Sequence, residues 1–480
     1  MTADSATYSA IATSRFGFGA RPGERATVAA DPRGWLLAQL RVPDRTPAEL
    51  DGLASSREIL ATFLAARAQQ AAERADLKRQ TARGEDPVKQ LAAGVREQLQ
   101  PHYIAQAAAR TRIALLSEST FRERLVHFWS NHFAVSVDKP ICLGTAGALE
   151  NEVIRPRIAG TFADLLLAVE THPAMITYLD NQQSVGPHSQ AAQYAARRAW
   201  RGRGPAKPRI GLNENLAREI LELHTLGVDG GYTQADVTTF AAVITGWSIG
   251  GGNGRFAAGE PGAFTFREAI HEPGSKTLLG RRYAEGGLQQ GQAVLRDLAA
   301  HPATARHLAA KLARHFVADD PPPGLVERLA GAYQSSDGHL PAVYAALVTW
   351  DGAWEPEPRK FKTPQDFAYS ALRALDVAPR EPKKLLSAFE VLGQRHWAPG
   401  SPAGWPDRQQ DWDGADALMK RIEWSVALAD RVGNSRSALD TAETSLGPLA
   451  GTRTRSALTR AASGSQALTL LLMSPEFQRR

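Results

Sequence analysis

Glu219 and Glu222 stand three residues apart in the segment Asn213-Glu214-Asn215-Leu216-Ala217-Arg218-Glu219-Ile220-Leu221-Glu222-Leu223-His224. Read as a helix, the segment buries Leu216, Ala217, Ile220, Leu221 and Leu223. Asn215, Glu219 and Glu222 then share a different face, within about 60° of one another. Two carboxylates and an amide converging in this way suit a divalent metal ion or a general acid–base pair. With Arg218 beside them, the same charges also make an ordinary solvated face. His224 points into the apolar arc, roughly 140° from Glu219, so one metal on an undistorted helix does not readily take both.

A second group lies in residues 120–133. Phe121, Leu125, Phe128, Trp129 and Phe133 form one apolar arc that includes His132, while His127 lies opposite, in line with Glu123 and Asn131. His127 and Asn131 can jointly address a ligand or make a structural hydrogen bond, and His132 reads as a hydrogen-bonded core histidine. The two histidines are five apart, whereas the H-E-x-x-H zinc arrangement needs a separation of four. Two turns add Asp229, in Asp229-Gly230-Gly231-Tyr232, and His271, in His271-Glu272-Pro273-Gly274. Together His127, Asn131, Glu219 and Glu222 are the candidate catalytic residues. Glu219 and Glu222 are the candidate metal ligands, and Asn215, His224, Asp229 and His271 are supporting or substrate contacts.

Other patterns carry less. Gly246-Trp247-Ser248-Ile249-Gly250 matches G-x-S-x-G, but a nucleophile elbow needs a strand before the serine and a helix after it. Here a helical pattern precedes and glycines follow. Trp397, Trp405 and Trp412 sit in a Pro- and Gly-rich loop and read as anchors, with sugar stacking as the alternative. His307, Lys311 and Arg314 share a helical face that is either solvated or an anion clamp. Gly17 to Gly23 form a turn, not a nucleotide fingerprint, because Pro22 stands where the helix would start.

The elements that must position these groups are helical. Residues 55–117 read as two long helices joined near Arg83-Gly84-Glu85-Asp86-Pro87, a protruding hairpin. Further helices are predicted over residues 120–133, 143–154, 162–170 and 213–225, with Thr233 opening one to about Thr245, and Pro302 and Thr363 opening others. Residues 191–209 read as a mobile basic loop. Phe264-Thr265-Phe266 and Pro273-Gly274 read as a small β-hairpin carrying His271. The fold class is therefore mainly α: a large multi-helix orthogonal bundle with a long helical hairpin and a small β-hairpin. It forms one domain over residues 1–480, with residues 360–480 as a candidate C-terminal lobe.

Of 480 residues, 43% are hydrophobic and 22% charged, enough apolar chain for a large core without metal or disulfide staples. The net charge of +6 is small for this length, which argues against a nucleic-acid binder. The single cysteine, Cys142, excludes an intramolecular disulfide and any multi-cysteine metal site. No run of about 18 apolar residues spans a membrane, and no signal peptide is seen, which favours the cytoplasm.

The motifs Arg15-Phe16-Gly17-Phe18-Gly19, His127 to Phe133, His172-Pro173-Ala174-Met175, Asn213 to Tyr232, His271-Glu272-Pro273-Gly274 and Ser401-Pro402-Ala403-Gly404-Trp405-Pro406 run along nearly the whole chain. In them the sequence resembles the bacterial family called domain of unknown function 1800. The resemblance implies a real polar site but no established activity. It also implies a partner resembling secreted sulfatases or phosphatases, with partner-assisted export as one route. Two functions are thus in view: a metal-assisted hydrolase or modifying enzyme built on residues 120–133 and 213–232, or a non-catalytic scaffold for such a partner.

Overall fold

The computed structural model describes residues 3–41, 46–80, 87–201, 211–251 and 255–480. It is mainly α. The strands among these residues make two antiparallel pairs, Trp247–Ile249 with Phe264–Phe266 and Lys276–Leu278 with Arg281–Tyr283. Helices start where short polar side chains can take up free backbone donors. Thr161 accepts from Asp164 N at the head of Phe162–Glu170, and Thr233 makes a full capping box with Asp236 at the head of Gln234–Val243. Pro302 and Pro364 occupy first-turn positions, where a missing N–H costs nothing.

The two long helices are Ser56–Gln80 and Pro87–Leu116; their predicted turn falls largely on residues 81–86, outside the described residues. Thr120–His132 runs through the middle of the core. On its apolar side Phe121 meets Phe16 and Phe316, each with ring centroids 5.8 Å away. Trp129 stacks on Phe133, packs at a tilt against Phe162 and donates its indole N–H to Tyr344 Oη at 2.6 Å. Pro302–Phe316, Pro323–Ser335 and Leu340–Val348 pack in succession.

The first and last parts of the sequence interlock. Ala3–Ile11 packs on Gly447–Leu449, and Arg373 holds both carboxylate oxygens of Glu24 at 2.8 and 2.9 Å. Arg480 and Lys360 exchange backbone hydrogen bonds.

Three local expectations change. Residues 191–209 read as a basic loop, yet Gln190–Trp200 is a helix capped by Ser189; Ala191, Ala192, Ala195 and Ala199 lie on its more buried side and Arg197 and Arg198 are exposed, and residues 202–210 lie outside the described residues. Phe264–Phe266 pairs back to Trp247–Ile249 and not forward past His271, which instead ends the 3₁₀ turn Glu268–Ile270. The predicted helix over 213–225 starts at Asn215 and widens into a π-turn over Ile220–Thr225, where Leu226 N bonds Leu221 O. A π-turn carries an extra residue per turn, so it changes the phase of every side chain after Glu219.

Candidate functional site

Arg124, His127 and Asn131 recur at spacings of three and four along Thr120–His132 and so share a face. That face looks onto a cavity of about 70 Å³. The cavity is closed by Phe18, by Arg110 and Gln365 from two further helices, by His315, and by Trp397, Trp405 and Asp407 of the proline-rich loop. Such a volume holds several water molecules or one small polar group, a water needing about 10–15 Å³ of space open to its centre.

The His127 ring lies between Phe18 and Tyr369, with centroids 4.8 and 5.6 Å away. Its Nε2 is buried without a protein partner. Burial, followed by Arg110 and Arg155, holds the ring well below the ordinary histidine range, so it is neutral at pH 7. Asn131 grips the loop: its amide donates to Trp405 O at 2.9 Å and accepts from Trp405 N at 2.8 Å. Gly404 passes so close that a Cβ there would stand 2.3 Å from Asn131 O, and its φ of +85° disfavours any other residue.

Arg124 donates to Gly17 O at 2.7 Å and to Asp366 Oδ2 at 2.6 Å, leaving its Nε buried and unpartnered. Arg480 reaches the same Asp366 oxygen at 3.1 Å. Burial alone would push Asp366 up, but the two guanidinium groups outweigh it and hold the carboxyl at about 2. His315 Nδ1 is 3.1 Å from Asp407 Oδ2, and its Nε2 is buried without a partner. Lys360 stands 3.2 Å from Asp407 Oδ1 and 2.6 Å from Asp319, and also donates to Asp407 O. Burial would raise Asp407, yet His315 and Lys360 keep it far below the carboxylate range. Burial pushes His315 down to about 4, against the pull of Asp407.

The predicted site residues separate. His127 and Asn131 share the cavity just described. Glu219 and Glu222 do not line it; both are half-buried at the π-turn, where Tyr232 donates to Glu222 at 3.3 Å. Burial raises Glu219, and neighbouring Glu222 pushes the same way. Asn215 is exposed, its N–H donated to Asn213. Asp229 is exposed on its turn. His271 is buried with Nδ1 2.8 Å from Thr245 O, in a separate group that includes Glu272 and His188. Among the described residues no three His, Cys, Asp or Glu stand close enough to hold a metal ion.

His132 and His224 are core residues, each 1% exposed. His224 Nδ1 lies 2.8 Å from Glu170, and His132 Nε2 and His307 Nε2 meet the carbonyls of His224 and Leu223 at 3.2 and 3.1 Å. Those carbonyls belong to a helix end, where the last C=O groups lack intrahelical partners. The tryptophans act as anchors: Trp397 donates to Glu150 and Ser130, Trp405 to Arg395 O and Trp412 to Pro406 O. Ser248 lies in a strand that runs into Gly250 and the paired strand's loop, not into a helix.

Sequence reasoning missed Arg124, Asp366, His315 and Asp407. Arg124 was legible in the three-and-four spacing with His127 and Asn131. Asp366 was masked by its fit to a helix-start signal; its N–H does bond Thr363, but its carboxylate serves the two arginines. His315 and Asp407 come from segments 92 residues apart, which no local pattern connects.

No curated protein and no solved structure matches the chain. One family does, and its match begins before the Arg15–Gly19 turn and ends beyond the last helix, enclosing every residue of the cavity. The chain belongs to the family described as protein of unknown function (DUF1800), over residues 11–479.

Proposed function

We propose that this protein is an enzyme performing hydrolytic acid–base chemistry on a small polar substrate, with His315 as the base. The observation that supports this most is the His315–Asp407 pair. The carboxylate fixes the proton on Nδ1 and leaves the Nε2 lone pair unpartnered beside the cavity. A neutral imidazole oriented in this way takes a proton from water or a substrate hydroxyl while Asp407 stabilises the imidazolium formed. A base with a resting value near 4 is weak at pH 7. A bound anion close to the ring would favour its charged form and strengthen it. His127 and Arg124 then bind or polarise the substrate from the facing helix.

The test is a panel of nitrophenyl carboxylate, phosphate and sulfate esters against wild type and His315→Gln. Loss of a general base lowers kcat by about 10²–10⁴-fold, with the thermal midpoint little changed. Equal turnover by both proteins would remove His315 from the mechanism.

A second reading keeps the acid–base or cation-binding role at Glu219 and Glu222, favoured by the raised Glu219 carboxyl beside a second carboxylate. Glu219→Gln in the same assay separates the two. The non-catalytic alternative, a scaffold for a partner resembling secreted sulfatases or phosphatases, requires that neither substitution alter biological function.

A further inference from the structure

The cavity has a neighbour on the far side of a shared wall. Asn131, His315, Trp405, Pro406 and Asp407 line both spaces. The second is a cleft of about 400 Å³ between the Pro302–Phe316 helix and the loop running to Asp411. Its floor is neutral, because burial holds His132 well below and His307 at about 4. Its walls carry Lys311, Arg314 and Arg408.

We propose that this cleft binds a tetrahedral oxyanion, the phosphate or sulfate group of a monoester substrate, through Lys311, Arg314 and Arg408. This deepens the reading of His315 as a base, since it names the group that the substrate carries, but it is tested by binding alone.

The charge balance supports it. Asp407 is committed to Lys360 and His315, and Asp411 is the one other carboxylate on the lining. Arg314 lines the cleft and spends its Nε on Asp319 O at 3.3 Å; among the described residues its terminal nitrogens make no hydrogen bond or ion pair. Arg408 meets Asp320 at 3.5 Å, a pair with the carboxylate 92% exposed, which water screens. Lys311 is half-buried and, among the described residues, has neither a hydrogen bond nor an ion pair. A half-buried ammonium whose nearby counter-charge, Asp407, is already engaged by Lys360 and His315 is costly; burial brings its value down to about 8 against the pull of Asp407, and Arg314 adds to the fall. Three converging cations match a tetrahedral anion better than a planar carboxylate, which presents two oxygens. An anion placed here shares a wall with His315, where its charge raises the basicity of that ring.

The probe is pyridoxal phosphate, which joins an anion to an aldehyde. The lysine amine adds to the aldehyde and loses water to give an imine; borohydride then delivers hydride to fix it as a secondary amine. Full-length protein is labelled with and without inorganic phosphate or sulfate, and the modified lysines are mapped by mass spectrometry. Lys311 should be modified ahead of the other lysines and protected by at least one of the two anions. Protection by phosphate alone assigns a phosphate monoester, by sulfate alone a sulfate ester, and by both the shared tetrahedral geometry.

Calorimetric titration with the same anions should weaken roughly tenfold for Arg408→Gln, about 1.4 kcal/mol, and persist for His315→Gln even where that variant has lost turnover. Labelling spread evenly over the lysines, or Lys311 labelling that neither anion affects, would overturn the proposal. Anion binding without any loss of turnover in His315→Gln would overturn the catalytic reading instead and leave the anion site standing.

Discussion

Asp366 shares its environment with Arg124, Arg480, Lys362 and Arg421, and the cations outweigh its burial. Its carboxyl is held at about 2, against an ordinary 3.8. A depressed carboxylate contributes stability above its unfolded value and loses it as pH falls through its folded value. The contribution is therefore complete above pH 3.8 and lost by about pH 2, worth on the order of 2 kcal/mol. Asp366→Asn should lose this increment of acid sensitivity in urea titrations run from pH 7 down to pH 2. At pH 7 it should cost about 3–5 kcal/mol, because two buried guanidinium groups lose their counter-charge. A variant as stable as wild type at pH 7 would show that the arginines find another partner.

At the scale of elements, the cavity exists because a proline-rich loop is pinned to a helix. Asn131 makes both amide bonds to Trp405, Gly404 fits against the helix backbone, and Trp397 donates to Ser130 of the same helix. Asn131→Ala removes two hydrogen bonds, each worth about 0.5–1.5 kcal/mol. The expected result is a fall of about 1–3 kcal/mol in stability, with faster proteolytic cleavage between residues 399 and 408. Stability lost without faster cleavage would mean that the tryptophans hold the loop by themselves. His132 and His307, which reach the π-turn from other helices, make a contrasting case. Their ring nitrogens cap a helix end, and Gly227, at a φ of +88° with His307 Nδ1 2.9 Å from where a Cβ would sit, lets the rings close over it. They hold the turn together from inside the core.

The whole molecule links its two ends through buried charge. Arg480 reaches Asp366 and the backbone of Arg15, Arg15 in turn donates to Ala353 O and Glu357 O, and Arg373 bonds Gly19 O and Glu24. Residues 360–480 therefore share hydrogen bonds with the first turn of the sequence and with the site helix. We expect calorimetry to show one unfolding transition, with Arg480→Ala lowering it as a whole. Two transitions, with the variant shifting only one, would identify residues 360–480 as an independent lobe.

Helix positions, the start signals at Thr233, Pro302 and Thr363, the core placement of His132 and His224, and the anchoring role of the tryptophans are written in the sequence. Each depends on residues within a few turns of one another, where period and capping chemistry act. That His127 and Asn131 share one face was legible for the same reason: they lie four residues apart on one helix. Past Glu219 local periodicity is only partly informative: the π-turn shifts the helical phase and nothing local announces it, so Leu223 is half-buried where a buried residue was expected, although His224 keeps its place in the core. It also could not show that Glu219 and Glu222 stand apart from His127, or that Arg124 meets Asp366 and His315 meets Asp407. Those pairings join segments far apart in the chain, and burial makes them matter: a charge out of water must find its partner wherever the packing brings one. The sequence by itself determined which faces carry polar groups, and the tertiary structure decided which of those faces meet.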